Sequence, residues 1–345
     1  MPKVSVVVAV YNAQQWLPHF FACLQKQTLK DFEVLLVDDC STDGSVAMIR
    51  EMSGFDPRFK LLPQPENMGA GPARNRGIME AAGETLCFAD PDDQLPENSL
   101  EVRYNAYKKH NAIVRACHGE FTNDGILLNQ ETRPERFPDI CKPVDYVKHS
   151  TVGLFFCAHW AWLFPTDLLR RKKIFNGLNM RTAEDIVFLA RLFFHIPRMV
   201  WIPDTVYYWV KRSDSLSSTV YSAEHYVNYL QCCEVFYEEA AKAGQLRIAD
   251  MFFNEYLSTY IPNLLNSICD ENNDEEDAQD FVIQMARINT IYRVISRNIE
   301  NIQKNIMGNV GLFQLWDVLQ SKDPSAITRL VQAHTRFKEL KNNNN

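Results

Sequence analysis

The sequence has no concentrated block of Lys and Arg, and its 36 basic residues are outnumbered by 43 acidic ones, for a formal net charge of -7. Proteins that bind nucleic acid gain much of their affinity from clustered cations that face the phosphates. Because the chain lacks such a cluster, we expect no nucleic acid among its partners.

Long hydrophobic runs and paired-cysteine motifs are also missing. The longest mostly apolar stretch, residues 152–165, contains His159 and is too short to span a bilayer. The chain enters a strand-like run at Val4 without the basic segment, apolar core and cleavage site of a signal peptide. The nine cysteines are odd in number and include no Cys-x-x-Cys, which favours reduced thiols. We therefore expect a soluble cytoplasmic protein.

The first hundred residues alternate strand and helix patterns. Apolar runs typical of buried strands occupy residues 4–10, 34–37, 59–62 and 85–88, and helical spacing follows the first three of them, the third helix spanning residues 70–82. Gly83 stands where that helix would have its C-cap. The alternation predicts an α/β fold in which helices flank a parallel sheet.

Helical patterns dominate after residue 221. We predict an α/β domain over residues 1–220, a helical C-terminal extension over residues 221–340 and a frayed tail over residues 341–345. Apolar positions between residues 291 and 316 favour packing of the extension onto the α/β domain. Peripheral contact with a membrane and homo-oligomer formation through these helices are the alternatives.

Polar residues follow three of the predicted strands, as Tyr11-Asn12, Asp38-Asp39 and Asp90-Pro91-Asp92-Asp93. Ligands of parallel α/β sheets bind beyond the carboxyl ends of the strands, so these residues are expected to line one crevice. Clustered Asp oxygens suit a hard divalent cation such as Mn²⁺ or Mg²⁺, and a diphosphate would be its natural partner. A polar turn is the competing interpretation of the last segment.

Six segments occur together in a specific order. They are residues 8–12, residues 37–45, residues 67–69 followed by 73–77, residues 90–93, Glu184-Asp185, and residues 207–209 leading into Arg212 and Ser215. With these segments the chain resembles glycosyltransferase family 2, the inverting nucleotide-sugar transferases, over about its first 220 residues. The resemblance implies a GT-A (Rossmann-like) fold with a mixed, mainly parallel sheet. It also implies metal-dependent transfer from a nucleotide-sugar donor, most commonly a UDP-sugar, to a saccharide or lipid-linked saccharide acceptor.

The resemblance also implies roles for individual residues on the donor side. The donor-binding residues implied are Val10, Tyr11, Asn12, Asp39, Arg74, Asp90, Asp92 and Arg212. Asp39 is expected to meet the nucleobase and Asp38 to satisfy local backbone donors, while a surface position is the alternative for Arg74. The expected metal ligands are Asp92 and Asp93, although the division of labour among residues 90–93 is left open. Ala9 replaces a hydroxyl residue that is frequent in the family.

On the acceptor side, the resemblance implies that Asp185 is the general base and that Glu184 orients it or contacts the acceptor. A structural alternative is a variant capping box, with Thr182 as the N-cap and Asp185 three residues later. Trp160 lies where the family builds part of its acceptor wall, but an aromatic residue in an apolar run is more often core.

Two other classes of function compete with this interpretation. A receiver-like regulatory domain would explain the Asp38-Asp39 pair but not Glu184-Asp185, and a sugar-binding or scaffold relative without activity would not need the acids that the chain retains. The resemblance favours an enzyme of surface-polysaccharide or lipopolysaccharide synthesis that works at the inner face of the cell membrane.

Overall fold

The computed structural model describes residues 1–133, 135, 137–142, 159–178, 180, 182–212 and 223–249. The chain divides into two compact units, Met1–Thr219 and Val220–Asn345. In the second unit, helix α7 spans Ala223–Lys242. The predictions for residues 291–316 and for the tail lie outside the described residues.

The first unit alternates strands and helices from its N-terminus. Its strands are β1 Val4–Val10, β2 Phe32–Asp38, β3 Phe59–Pro63, β4 Thr85–Ala89, β5 Ile113–Thr122, β6 Leu127–Gln130, β7 Ile140–Cys141, β8 Trp162–Pro165 and β9 Met199–Lys211. Its helices are α1 Leu17–Gln25, α2 Ser45–Phe55, α3 Ala70–Glu80, α4 Ser99–His110, α5 Thr166–Arg171 and α6 Glu184–Phe193, and a short 3-10 turn covers His159–Ala161. The four strands and three helices predicted for the first hundred residues are all present.

The strands form one nine-stranded mixed sheet in the order β3-β2-β1-β4-β8-β5-β9-β7, with β6 paired to β5. Strand β1 lies parallel to both of its neighbours, with Val4 opposite Phe32 of β2 and Thr85 of β4. Strand β8 runs antiparallel between β4 and β5, whereas β5 and β9 are parallel. Strands β1, β2 and β4 therefore end at the same edge of the sheet, and the prediction of a mixed, mainly parallel sheet is confirmed.

The continuous apolar run of β1 is buried on both faces of the sheet. Val6 and Val8 belong to the core that also contains Leu17 and Phe20 of α1, and Val7 packs toward α3. Each valine of this kind contributes about 1.5 to 3 kcal/mol when it is fully buried. Burial on both faces explains why the strand shows no alternation with polar residues.

Two glycines set how closely the chain packs around α3. A Cβ at Gly77 would collide with Cγ1 of Val7, so glycine lets the helix lie close against β1. The prediction that Gly83 is the C-cap is wrong, because α3 ends at Glu80 and its C-cap is Ala81. A Cβ at Gly83 would lie 2.6 Å from the backbone nitrogen of Ser5, so this glycine serves a close approach of two chain segments.

Two further findings concern the cysteines and the helices of the described residues. Cys23, Cys40, Cys87, Cys117, Cys141 and Cys232 are all free thiols. Nowhere in the described ranges does a helix combine the length and the apolar character that crossing a bilayer demands.

Candidate active site

The loops after β1 and β2 are joined by hydrogen bonds at the carboxyl edge of the sheet. The side-chain Oδ1 of Asn12 accepts a hydrogen bond from the backbone N–H of Thr42 at 2.8 Å, and the backbone N–H of Asn12 donates to Oγ of Ser41 at 2.9 Å. Gln14 is bound in the same two-way manner, donating from its backbone to Asp43 and accepting from the backbone of Gly44. We call this contact between residues 12–14 and 41–45 the loop latch. It fixes the edge on which the predicted donor residues Val10 and Tyr11 lie.

Asp38 and Asp39 are both buried at the end of β2, but their carboxylates serve different loops. Asp39 is 3% exposed, and its two oxygens accept from the backbone N–H groups of Met68 and Gly69 at 2.8 and 2.7 Å. Asp38 accepts from the backbone of Ser41 at 3.2 Å, as its local alternative predicted. Asp39 therefore anchors the loop before α3, and its contact with a nucleobase stays a prediction. Tyr11 is half-exposed beside it at the end of β1.

The turn Asp90–Asp93, which we call the carboxylate turn, follows β4 directly. Asp93 is 4% exposed; its Oδ2 accepts from the hydroxyl of Tyr207 at 2.8 Å and its Oδ1 from the backbone of Val210 at 2.9 Å. Burial, followed by the charges of Asp92 and Asp90, raises the pKa of Asp93 well above its ordinary value. Each oxygen of Asp93 thus accepts one hydrogen bond from β9, and its role as a metal ligand stays a prediction.

Asp90 and Asp92 keep about a quarter of their side chains exposed and each pairs with one arginine. Asp90 accepts from Arg74 at 2.8 Å, and Asp92 forms an ion pair with Arg212. Burial, and then the neighbouring Asp90, raises the pKa of Asp92. Within the described residues, no group of three or more acidic, His or Cys side chains is arranged to hold a metal by itself. Mg²⁺ is commonly bound by one or two carboxylates together with substrate phosphates, and Asp90 and Asp92 fit that pattern.

Arg74 lies inside the protein rather than on its surface, so the surface alternative is wrong. Its side chain is 7% exposed and forms ion pairs with Asp90 of the carboxylate turn and with Glu184 at the start of α6, the latter at 2.5 Å. Burial alone would lower the pKa of Arg74, but the two carboxylates outweigh it and raise that pKa. Arg74 therefore joins the two acidic motifs, and its predicted contact with the donor stays a prediction.

Asp185 is in the first turn of α6, next to Glu184. Its Oδ1 accepts from the backbone N–H of Ile186 at 2.8 Å. Burial, and then the charge of Glu184, raises the pKa of Asp185 to about 7, although Arg74 opposes the shift. The N-cap of α6 is Ala183, which has a left-handed φ of 64°, and no side chain caps the helix. The capping-box alternative, with Thr182 as the N-cap, is therefore wrong.

Arg212 follows the last residue of β9 and lies against two neighbours. Besides the ion pair with Asp92, its guanidinium carbon lies over the ring of Trp16, 4.7 Å from the ring centre, at the start of α1. The following residues of the predicted closing segment, 213–215, lie outside the described residues. Strand β9 thus brings the positively charged guanidinium of Arg212 to the carboxylate turn.

The predicted acceptor-wall residue Trp160 belongs to the core. It is 7% exposed, stacks on Tyr207 at a centroid distance of 4.2 Å, and meets the ring of His118 edge-on at 4.9 Å. The buried Arg103 donates to the carbonyl oxygens of Trp160 and Trp162, which fixes the short turn. The acceptor-wall prediction is wrong because these contacts leave the indole no face for a sugar.

Sequence reasoning missed two members of the site. The hydroxyl of Tyr207 accepts from the backbone N–H of Asp90 at 3.0 Å, in addition to its bond to Asp93. Trp16 lies under Arg212. Tyr207 was part of a recognised segment, but nothing in the sequence signals a partner more than a hundred residues away.

Comparisons with known proteins agree with this architecture. Residues 5–171 match the family model "Glycosyl transferase family 2". Glycosyltransferase GlyG of Streptococcus pneumoniae is 29% identical over 224 residues, which cover 63% of this chain and 73% of GlyG. The crystal structure of S. aureus TarS 1-349 superimposes with a TM-score of 0.68 at 21% identity, covering 97% of this chain and 91% of TarS 1-349. Its complex with UDP-GlcNAc superimposes with a TM-score of 0.64 at 20% identity, with coverages of 97% and 92%.

The match also excludes the receiver-like regulatory domain that the Asp38-Asp39 pair suggested. In the structure, the oxygens of Asp39 are taken by backbone N–H groups of the loop before α3 rather than exposed in an acidic pocket. The ordered segments, the mixed sheet and the similar proteins agree: residues 5–171 match glycosyltransferase family 2, and the chain is a glycosyltransferase with a GT-A fold.

Proposed function

We propose that the protein transfers a sugar from a UDP-sugar to a saccharide hydroxyl in one inverting step, with Asp185 as the general base. The observation that carries the proposal is the chain of ion pairs from Asp90 through Arg74 to Glu184, the residue next to Asp185. It holds the acid that would accept a proton and the acids that would face the diphosphate in one rigid arrangement.

The environment of Asp185 suits a base that works near neutral pH. A carboxylate with a pKa of about 7 is partly ionised at that pH and is a stronger base than an ordinary aspartate. Because Oδ1 already accepts the N–H of Ile186, Oδ2 is the oxygen available for the proton of an acceptor hydroxyl. General base catalysis of this kind contributes roughly 10² to 10⁴ in rate.

The bonds change in a single displacement. The acceptor oxygen forms a bond to the anomeric carbon, its proton passes to Asp185, and the electron pair of the breaking sugar–oxygen bond stays on the departing UDP. Asp90 and Asp92 would hold Mn²⁺ or Mg²⁺, which when bound supplies positive charge to the leaving diphosphate. Arg212, which lies beside Asp92, adds a guanidinium suited to phosphate oxygens.

The choice of UDP is supported by the UDP-GlcNAc complex of TarS, which shares the fold. In this proposal the half-exposed ring of Tyr11, which follows β1, would stack on the base, next to the buried Val10 and Asp39 and the partly buried Asn12. TarS is a poly(ribitol-phosphate) beta-N-acetylglucosaminyltransferase. By analogy we propose a polysaccharide or lipopolysaccharide acceptor made at the inner face of the membrane.

A panel of UDP-, GDP- and dTDP-sugars, each with Mn²⁺, Mg²⁺ or EDTA, tests the proposal by release of nucleoside diphosphate. We expect Asp185→Asn to lower turnover about 10³-fold while UDP affinity in calorimetry changes less than about twofold. Asp167→Asn is the matched control, because Asp167 is an exposed acid in the first turn of α5. It should leave turnover unchanged.

Three outcomes would contradict the proposal in different ways. Near-normal turnover by Asp185→Asn would remove the base assignment. Equal rates with Mn²⁺ and with EDTA would show that the reaction does not depend on a metal. Wild-type protein that binds UDP but turns over no sugar nucleotide, with saccharide acceptors present, would be an inactive sugar-binding relative.

A further inference from the structure

The hydroxyl of Tyr207 is completely buried and makes contact with both ends of the carboxylate turn. It accepts from the backbone N–H of Asp90 at 3.0 Å and donates to Oδ2 of Asp93 at 2.8 Å. The other oxygen of Asp93 accepts from the backbone of Val210 at 2.9 Å. The turn is therefore attached to β9 at its first and last residues.

The ring that carries this hydroxyl has little freedom to move. It stacks on Trp160 with an interplanar angle of 17°, and both rings belong to the hydrophobic core. Next along the chain, Gln94 and Tyr208 exchange two backbone hydrogen bonds, of 3.1 and 2.8 Å. The carboxylate turn is thus continued into the sheet through β9.

The same strand also supplies the cation at the turn. Strand β9 ends at Lys211, and the next residue, Arg212, pairs with Asp92. A shift of the turn relative to β9 would change the separation of Asp90, Asp92 and Arg212 together. Productive placement of a diphosphate donor depends on that separation, because a misplacement of about 1 Å can cost about 10²-fold in rate.

We propose that Tyr207 and Asp93 are positioning residues that brace the carboxylate turn against β9 and so set the spacing of Asp90, Asp92 and Arg212 for a nucleoside diphosphate and its cation. The inference rests on the proposed function. Asp93 is then a support for the partly exposed Asp90 and Asp92, not a third acid that touches the ligand. Each of its two oxygens already accepts a hydrogen bond from β9, one from Tyr207 and one from Val210.

The test compares Tyr207→Phe, Asp93→Asn and the double variant, with Tyr208→Phe as the matched control. Tyr208 is the next residue in the same strand, and its ring packs edge-on against Phe121. The first readout is UDP affinity measured by calorimetry, with Mn²⁺ and with EDTA. The second is the thermal unfolding temperature of the metal-free proteins, which needs no activity.

We expect Tyr207→Phe and Asp93→Asn each to weaken Mn²⁺-dependent UDP binding about tenfold relative to the wild type. The double variant should also lose only about tenfold, because both changes remove the same contact. The loss in unfolding temperature of the double variant should likewise be smaller than the sum of the losses in the two single variants. Tyr208→Phe should match the wild type in both measurements. If Asp93→Asn fails to fold, the two Tyr→Phe variants carry the comparison alone.

Different results overturn different statements. Wild-type UDP affinity that persists in Tyr207→Phe overturns the brace and leaves the proposed function standing. A loss above about 10²-fold in Asp93→Asn that multiplies with the Tyr207→Phe loss identifies Asp93 as a direct ligand and also overturns the brace. Wild-type protein that binds no UDP with either metal overturns the proposed function, and this inference with it.

Discussion

The carboxylate turn and the start of α6 each contain an acid with a raised pKa, but the two acids are held differently. Asp93 accepts two hydrogen bonds from β9, one from a side chain and one from the backbone. Asp185 accepts one, from the residue that follows it. Burial is the main cause of the raised pKa in both. The difference lies in how many lone pairs remain for a substrate.

This difference separates positioning from proton transfer. An acid whose two oxygens are both engaged has a fixed geometry and a poor opportunity to exchange a proton with a ligand. An acid with one engaged oxygen keeps the other for chemistry, and burial makes it a better base. The left-handed φ of Ala183, just before α6, is backbone strain of the kind found at functional sites.

The largest expected effect on stability comes from breaking the link between the two regions. Arg74→Gln leaves Asp90 and Glu184 without their shared cation, so we expect a loss of about 3 to 5 kcal/mol in the free energy of unfolding and a turnover at least about 10²-fold lower. Arg74→Lys keeps the charge but loses the planar guanidinium that reaches both acids. Its stability and turnover should therefore lie between those of the wild type and those of Arg74→Gln. Urea unfolding and the UDP-release assay measure these effects.

The matched control for this comparison is Arg76→Gln. Arg76 is on the same helix and donates to the backbone carbonyl of Pro63 rather than to a carboxylate. It should lose less than about 1 kcal/mol, the usual contribution of one hydrogen bond. Equal effects of Arg74→Gln and Arg76→Gln would show that the two acidic regions are independent.

A second effect concerns pH. Turnover should fall about tenfold per pH unit below about 7, because Asp185 must be ionised to accept a proton. The raised pKa also means that the folded protein holds this proton between about pH 4 and 7, where the unfolded chain has lost it. Wild-type stability relative to Asp185→Asn should therefore decrease as pH rises through that window. A turnover limb near pH 4 would show that Asp185 is not the base.

The smallest expected effect belongs to the loop latch. Asn12→Ala removes the acceptor for Thr42. It also places alanine, which adopts a positive φ less readily than asparagine does, at a φ of 48°. We therefore expect a loss of about 1 to 2 kcal/mol in the free energy of unfolding. Asn12→Asp keeps the acceptor and Asn12→Gly keeps the backbone freedom, so each should recover part of the loss in urea unfolding. Equal losses in all three variants would assign the effect to neither cause.

The strands at the carboxyl edge were predictable because local sequence is enough to define them. The β-branched run of β1 is typical of a strand buried on both faces. Parallel strands place the residues that follow them at one edge of the sheet. The order of short motifs then indicated the family. The positions of Asp90, Asp92 and Asp185 at strand and helix ends followed from the same patterns.

The partners of these residues could not be predicted in the same way. Arg74 and Glu184 are separated by 110 residues, and Tyr207 and Asp93 by 114. Such pairs depend on the order of strands in the finished sheet, which no local pattern specifies. Trp160 illustrates the same limit, since an aromatic residue looks alike in a core and in a sugar-binding wall until its neighbours are placed.

The close packing at Gly77 has a consequence for how the enzyme could be altered. Arg74 and Gly77 are three residues apart on α3, so they share one face of the helix. A methyl group at Gly77 would push that face away from Val7 and draw the guanidinium of Arg74 away from both acids in the same movement. The spacing of Asp90 and Glu184 around Arg74 therefore depends on how closely α3 packs against β1, which is set at a residue with no side chain.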